Sequence, residues 1–254
     1  MLKLLLIFLT AVYGSYTHEF GLRNARLAAI SYCDSENIID MTCVPCKQIS
    51  VKPVAISGGE RRFIVLDDHE QNATVISFRG SSNVENWIAD LDAVKVTPYK
   101  DKQIEVHKGF YDDFIDIRSE LYSFIPLDGI DLIVVGHSYG AAIAILFKYD
   151  LINENIPATL VTFGEPRVGN DMFAEQILDH YRITHKRDMV PHLPPERLGF
   201  KHSNTEVWYT SDSEFKVCIE TEESNCSNSC SPIECTSIDD HLNYLGVKIG
   251  SGGC

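Results

Sequence analysis

Ile130-Asp131-Leu132-Ile133-Val134-Val135-Gly136-His137-Ser138-Tyr139-Gly140-Ala141-Ala142-Ile143-Ala144-Ile145-Leu146 changes character in its middle. Residues 132–135 are a continuous apolar run rich in β-branched side chains, which predicts a strand buried on both faces, as in a parallel sheet. From Ala141 onward Ala, Ile and Leu dominate, which suits a helix packed closely on that sheet. Between the two halves lies Gly136-His137-Ser138-Tyr139-Gly140, a G-x-S-x-G pattern. By chance such a pentapeptide arises in about one chain in ten of this length. The strand before it and the small-residue helix after it make it specific. In that setting it predicts a nucleophile elbow, with the glycines allowing close approach and Ser138 taking a strained turn. The amide of Tyr139 then points to where a tetrahedral oxyanion would form.

The rest of the chain bounds this reading. Its 254 residues suit one α/β domain rather than two, and no repeat or low-complexity tract interrupts them. Residues 1–14 carry one early Lys, then a short apolar run and small residues. They predict a secretory signal peptide cleaved after Gly14, leaving residues 15–254 as a secreted, extracellular domain. No later stretch is apolar enough to span a bilayer. The formal charge of −14 becomes about −15 once the Lys of that leader is gone. A field of that sign argues against nucleic acid and anionic membranes, and is compatible with neutral or zwitterionic lipid surfaces.

All eight cysteines lie outside the leader: Cys33, Cys43, Cys46, Cys218, Cys226, Cys230, Cys235 and Cys254. An even count in a secreted chain predicts disulfides. Cys43-Val44-Pro45-Cys46 has a redox or zinc spacing, yet no thioredoxin-like βαβ context or zinc-finger set surrounds it. Neither metal nor cofactor is expected. Asn72-Ala73-Thr74 and Asn225-Cys226-Ser227 match the glycosylation pattern.

Along the mature chain the patterns alternate. Residues 18–32 read as a helix and 34–46 as a cysteine-held loop. Residues 49–56, 62–66 and 74–78 read as strands. Residues 84–91 form a short amphipathic helix with Val84, Trp87, Ile88 and Leu91 on one face. Residues 94–98 and 103–106 read as a further strand pair. Phe110, Phe114, Ile117, Leu121 and Phe124 recur at helical spacing. After the elbow come a strand at 158–163, a helix at 171–180 and a strand at 181–185. An antiparallel pair follows at 207–210 and 215–219, then a stapled loop at 221–237 and a helix at 239–245. Strands alternating with helices predict a mainly parallel sheet flanked by helices, in one domain.

A serine hydroxyl is a weak nucleophile until a base takes its proton, and the base is usually a His oriented by a carboxylate. In elbow hydrolases both partners follow later strands, in the order Ser, acid, His. Asp188 directly follows the apolar strand and is the best acid; Asp171 and Asp179 fall on a helical pattern. His241 stands at a late loop-to-helix junction and is the best base; His185, His192 and His202 compete with it, the last two in comparable loops, and position alone does not choose among them. His137 reads as structural. The loop Phe78-Arg79-Gly80-Ser81 is placed to supply a second oxyanion donor, Ser81 offering its amide and its hydroxyl.

Seven pieces in one order carry a resemblance to a known family: Ser77-Phe78-Arg79-Gly80-Ser81, Glu85-Asn86-Trp87-Ile88, His107-Lys108-Gly109-Phe110, the elbow, Thr162 through Asn170, Asp188-Met189-Val190-Pro191 with Leu193-Pro194-Pro195, and His241-Leu242. Together they resemble the secreted fungal-type class 3 lipases of the α/β-hydrolase superfamily, from about residue 29 to the C-terminus. The resemblance implies Ser138 as nucleophile, Asp188 as orienting acid and His241 as base. It implies Ser81 and Tyr139 as the oxyanion hole, and residues 84–91, with Val84, Trp87, Ile88 and Leu91, as a lid over the substrate site. It also implies a bridge from Cys33 to Cys254 and one from Cys43 to Cys46. The other four cysteines have no counterpart, which leaves three pairings open. Two departures stand out: Tyr139 where the family usually has Leu, and Ala141 where it usually has Gly.

The expected function is secreted carboxylic-ester hydrolysis through an acyl-enzyme, most simply of triacylglycerol, by a monomer touching a lipid interface transiently. A phospholipase A1 or a soluble-ester (feruloyl-type) esterase keeps the chemistry and changes the substrate. An inactive lipid-binding or storage protein on the same fold is the alternative of another class.

Overall fold

The apolar run 132–135 lies in the middle of an eight-stranded sheet in the computed structural model, which describes residues 16–59, 62–126, 129–230 and 234–254. The expected leader lies outside the described residues. In chain order, α1 (His18–Ile30) and α2 (Ser35–Ile39) precede β1 (Lys52–Ile56), β2 (Phe63–Asp68) and β3 (Ala73–Phe78). Then come α3 (Val84–Asp90), a two-residue pair β4 (Lys95–Val96) and β5 (Val106–His107), and α4 (Lys108–Tyr122). The second half runs β6 (Asp131–His137), α5 (Tyr139–Asn153), β7 (Thr159–Phe163), α6 (Asp171–Ala174), β8 (His180–His185), β9 (Glu206–Tyr209) and β10 (Phe215–Cys218). It closes with α7 (Ile238–His241), β11 (Asn243–Tyr244) and β12 (Val247–Lys248).

The main sheet has the order β1-β2-β3-β6-β7-β8-β9-β10. From β3 to β9 every pairing is parallel, while β1–β2–β3 and β9–β10 are antiparallel. Both faces of its centre are covered, which explains the unbroken hydrophobicity of β6. Side chains alternate along a strand. Ile133 and Val135 therefore join Leu27 and Ala28 of α1, while Leu132 and Val134 join Phe110, Phe114 and Phe147 on the α4–α5 side. The architecture is an α/β-hydrolase fold with a mixed sheet whose central strands are parallel.

Three expectations need correction. The helix predicted at 171–180 stops at Ala174. Asp179 takes a left-handed conformation (φ 53°), and His180 is drawn into β8, where its ring bonds Thr162 Oγ1 and Ser203 Oγ. The helix predicted at 239–245 is confined to Ile238–His241. Leu245 and Gly246, both with positive φ, form a two-residue turn between β11 and β12, the geometry of a type I′ hairpin. The loop predicted at 34–46 holds the short helix α2.

The bridges Cys33–Cys254 and Cys43–Cys46 form as the resemblance implies. The open pairing resolves as Cys218–Cys226 and Cys230–Cys235. Cys33–Cys254 closes a loop with a sequence separation of 221, against 3 for Cys43–Cys46. Restriction of the unfolded chain grows with loop length. Replacing Cys33 and Cys254 by Ser should therefore lower unfolding stability by about 2–5 kcal/mol, and the Cys43/Cys46 pair by less. Denaturant titration measures both, and the reverse ranking would count against the loop-entropy account.

Candidate active site

β6 ends at His137, and the chain turns at Ser138 with φ 59° and ψ −132°, a conformation strained for any non-glycine residue. The turn is held from outside. The Ser138 amide bonds the Phe163 carbonyl of β7 at 2.9 Å. A methyl group on Gly136 would lie 2.5 Å from the Gly140 carbonyl, and one on Gly140 would lie 2.4 Å from the Phe78 carbonyl of β3. Strand and helix thus meet at backbone contact, and only glycine fits at these two positions. The turn places Ser138 at the N-terminus of α5. Its Oγ is buried and has no hydrogen-bond partner.

The acid and the base arrive from two later elements. Asp188 follows β8, and its amide bonds the His185 carbonyl at 2.9 Å. α7 is capped by Ser237, whose side chain accepts from the Asp240 amide. The Ser237 amide also donates to the Arg187 carbonyl at 3.0 Å, which fastens α7 beside the end of β8. His241 then donates from Nδ1 to both Asp188 oxygens, at 3.0 and 2.9 Å. The Val190 amide (2.8 Å) and the Tyr244 hydroxyl also donate to this carboxylate. Burial by itself would raise the Asp188 pKa; the adjacent His241 and these hydrogen bonds outweigh it and hold the carboxyl below the usual range. An ionised carboxylate only accepts, so Nδ1 of His241 carries the proton and Nε2 is left as a base. That Nε2 is buried and, like Ser138 Oγ, has no partner.

Among the described residues no other His hydrogen-bonds Asp188. His202 Nε2 donates to the Pro191 carbonyl at 2.8 Å, and His185 Nδ1 contacts the Asp240 carbonyl at 3.0 Å. Position in the sequence left His192 and His202 open; the tertiary contact selects His241.

His137 is structural, as expected, and its contacts join the site together. Burial first, and then the nearby His241, push its pKa down to about 3, so its ring is neutral. Nε2–H donates to the His241 carbonyl at 2.8 Å, which leaves Nδ1 to accept from the Tyr32 hydroxyl at 2.7 Å. The rings of His137 and His241 are 4.6 Å apart. The residue before the nucleophile thereby fixes the backbone of the base. Nothing in the sequence pointed to Tyr32 or Tyr244, since a single Tyr carries no pattern.

The loop after β3 lies against the elbow: a methyl group on Gly80 would come within 2.9 Å of Ser138 Cβ. Ser81 follows, and its hydroxyl donates to the Asn83 carbonyl (3.1 Å) while accepting from the Asn83 amide (3.3 Å). The hydroxyl thus closes a local turn. Asn83 in turn caps α3, its side chain accepting from the Asn86 amide at 3.0 Å. On α3, Val84 is buried, Trp87 and Leu91 pack on the α4–α5 core, and Ile88 stays half-exposed. The Trp87 ring stacks on Phe110, with centroids 6.1 Å apart and planes at 23°. A cleft of about 250 Å³ opens beside the start of α3, between Ser81, Val84, Ile238, Leu242 and Ile249.

The segment Gly164-Glu165-Pro166-Arg167 acts as scaffold. Arg167 is buried and donates from Nε and Nη2 to Glu222, both at 2.8 Å, and from Nη1 to the Pro194 carbonyl at 3.1 Å. It ties the cysteine-stapled segment to the loop that follows Asp188.

The hydroxyl of Tyr244 sets a measurable expectation. A hydrogen bond to a charged group contributes about 1.5–3 kcal/mol, so Tyr244→Phe should lose about that much stability at neutral pH. Asp188 is more acidic folded than unfolded, so its contribution exists above the unfolded carboxylate pKa and disappears as pH falls through the folded value. The gap between wild type and Tyr244→Phe should therefore be full at pH 7 and shrink in strong acid. Urea titrations at both pH values check it, and a pH-independent gap would contradict it.

Comparison with known proteins agrees with this geometry. Residues 75–198 match the family described as Lipase (class 3). A lipase of Rhizomucor miehei is 38% identical over 205 residues, covering 74% of this chain and 56% of that protein. The chain spans 56% to 63% of the length of the curated fungal lipases it matches first. The solved structure of lipase II from Rhizopus niveus superposes with a TM-score of 0.84 at 29% identity, covering 92% of this chain and 96% of that one. The Rhizomucor miehei triacylglyceride lipase structure gives 0.82 at 33% identity, with the same coverage. With its fold, its elbow and its sequence all in agreement, this chain belongs to the class 3 lipase family of α/β-hydrolases.

Proposed function

We propose that the chain is a secreted carboxylic-ester hydrolase of triacylglycerol-lipase type. One observation carries the reading. Two buried polar atoms without partners, Ser138 Oγ and His241 Nε2, belong to the residues that elbow chemistry requires, and Asp188 holds His241 in the tautomer that leaves Nε2 free. His241 takes the proton of Ser138 as Oγ attacks the ester carbonyl. The amides of Tyr139 and Ser81 hold the oxyanion; the Ser81 hydroxyl is already engaged with Asn83. His241 then protonates the leaving alcohol, and water repeats the sequence on the acyl-enzyme.

The choice of a lipid ester rests on α3. Ser138 and His241 are both 0% exposed, so substrate enters only after a covering segment moves. α3 is a seven-residue helix with only Val84 buried. Swinging it out would expose Trp87 and Leu91, a loss that a lipid surface offsets by burying them. Residues 1–14 direct secretion in this reading, and the protein works as a monomer on neutral or zwitterionic interfaces.

Ser138→Ala should lower p-nitrophenyl butyrate turnover by at least about 10³-fold and leave the melting temperature within a few degrees. A variant that still turns over would refute Ser138 as the nucleophile. For the wild type, the rate on tributyrin should jump once the substrate exceeds its solubility; a smooth saturation curve through that point favours the soluble-ester alternative.

A further inference from the structure

Asn72-Ala73-Thr74 takes no part in the chemistry above, and its place in the fold is specific. Asn72 is the last residue of the turn that joins β2 to β3. Asp68, at the end of β2, holds that turn from inside. Its carboxylate accepts from the amides of Glu70 and Gln71, each at 3.2 Å, and from the Gln71 side chain at 2.7 Å. Arg23 of α1 donates to the same carboxylate from Nε at 2.8 Å. Asn72 stands outside this set, exposed and in a left-handed conformation (φ 51°). The turn alone accounts for an Asn there, since Asn tolerates positive φ. It does not call for a hydroxyl at position 74. Thr74 lies half-buried in β3, in register with Asp67 and Leu132, and its strand neighbours Ala73, Val75 and Ile76 are apolar and buried.

The position also lies away from the reacting groups. Ser138 follows β6, Ser81 follows β3 and Asp188 follows β8, so all three share the edge where the parallel strands end. Asn72 precedes β3, on the edge where those strands begin. Six strand residues, about 20 Å of extended chain, separate it from the loop that carries Ser81. A bulky hydrated group on Asn72 leaves the catalytic edge and α3 free to meet a lipid surface. The second match, Asn225-Cys226-Ser227, is placed differently. Cys226 is buried and bridged to Cys218, eight residues away. Ser227 is buried too, with its hydroxyl on Glu206. Folding thus takes up the hydroxyl that such a motif must present.

We propose that Asn72 is N-glycosylated, that Asn225 is not, and that the glycan lies on the edge away from the lipid surface. The donor class is an oligosaccharide carried on a polyisoprenoid pyrophosphate. Asn72 Nδ2 attacks the anomeric carbon of the first sugar. The new C–N bond replaces the C–O bond to pyrophosphate, Nδ2 gives up one proton, and the lipid pyrophosphate leaves without any change of oxidation state. The inference rests on the secretion reading above, because this transfer belongs to the secretory route. The test is expression of the full chain in a eukaryotic secretory host, once with residues 1–14 and once with the host's own leader in their place. Medium and cell extract are both analysed by gel mobility and peptide mass spectrometry, before and after peptide-N-glycosidase F, which converts a glycan-bearing Asn to Asp. Wild type should lose its mobility shift on treatment and show that conversion at position 72 alone. Asn72→Gln and Thr74→Val should both lose the shift completely, and Asn225→Gln should keep it. Thr74→Val leaves Asn72 in its turn, so its loss of the shift is not damage to the turn. Removing the glycan from the folded protein should leave the rate on tributyrin unchanged. An unmodified Asn72 in the chain with the host leader, a glycan on Asn225, or a tributyrin rate that changes with the glycan would overturn the proposal and leave secretion standing. Retention in the cell of the chain with residues 1–14 would overturn the secretion reading alone, since the host leader still decides Asn72.

Discussion

The backbone contact between β6 and α5 governs this molecule. Gly136 faces the Gly140 carbonyl, and Gly140 faces Phe78 of the neighbouring strand, with no room for a side chain at either. That contact forces Ser138 into φ 59° and ψ −132°. The strain is held by the covered sheet below it, because β6 has hydrophobic clusters on both faces. A rigid core thus presents one strained residue at the edge where the parallel strands end. Three other segments reach the same edge: Asp188 after β8, the Gly80–Ser81 loop after β3, and His241 from α7.

A second constraint is a buried charge. A carboxylate taken out of water is costly unless its lone pairs are occupied. Asp188 meets this condition with donors from Val190, Tyr244 and His241. The same bonds select the His241 tautomer, so the arrangement that makes Asp188 tolerable also leaves Nε2 as the ring's acceptor. The Tyr32–His137–His241 contacts extend it, since the ring beside the nucleophile holds the backbone of the base. Stability and chemistry are here the same hydrogen bonds.

The outer layer is organised differently. α3 and its C-cap residue touch the core through Trp87 and Leu91, and Cys33–Cys254 and the Arg167–Glu222 pair fasten later segments of the chain. The rigid parts hold Ser138, Asp188 and His241, and α3, with only Val84 buried, is the weakly packed part.

The sequence by itself determined the elements whose signals are local. The β-branched run and Gly-x-Ser-x-Gly marked strand and elbow, because burial on two faces and backbone contact leave direct compositional traces. The spacing of Phe110, Phe114 and Leu121 marked α4 for the same reason. Wherever residues distant in the chain compete, tertiary structure decided. The sequence left His192, His202 and His241 open as bases on position alone, and contact with Asp188 selected His241. It left three pairings for four cysteines, and proximity chose the one that joins Cys218 to Cys226 and Cys230 to Cys235. Its helix at 171–180 failed because Thr162 and Ser203, far along the chain, hold the His180 ring in a strand. Tyr32 and Tyr244 left no trace, because a hydrogen bond between distant side chains has neither period nor motif. Local periodicity records burial; the partners of a buried polar group are recorded only in three dimensions.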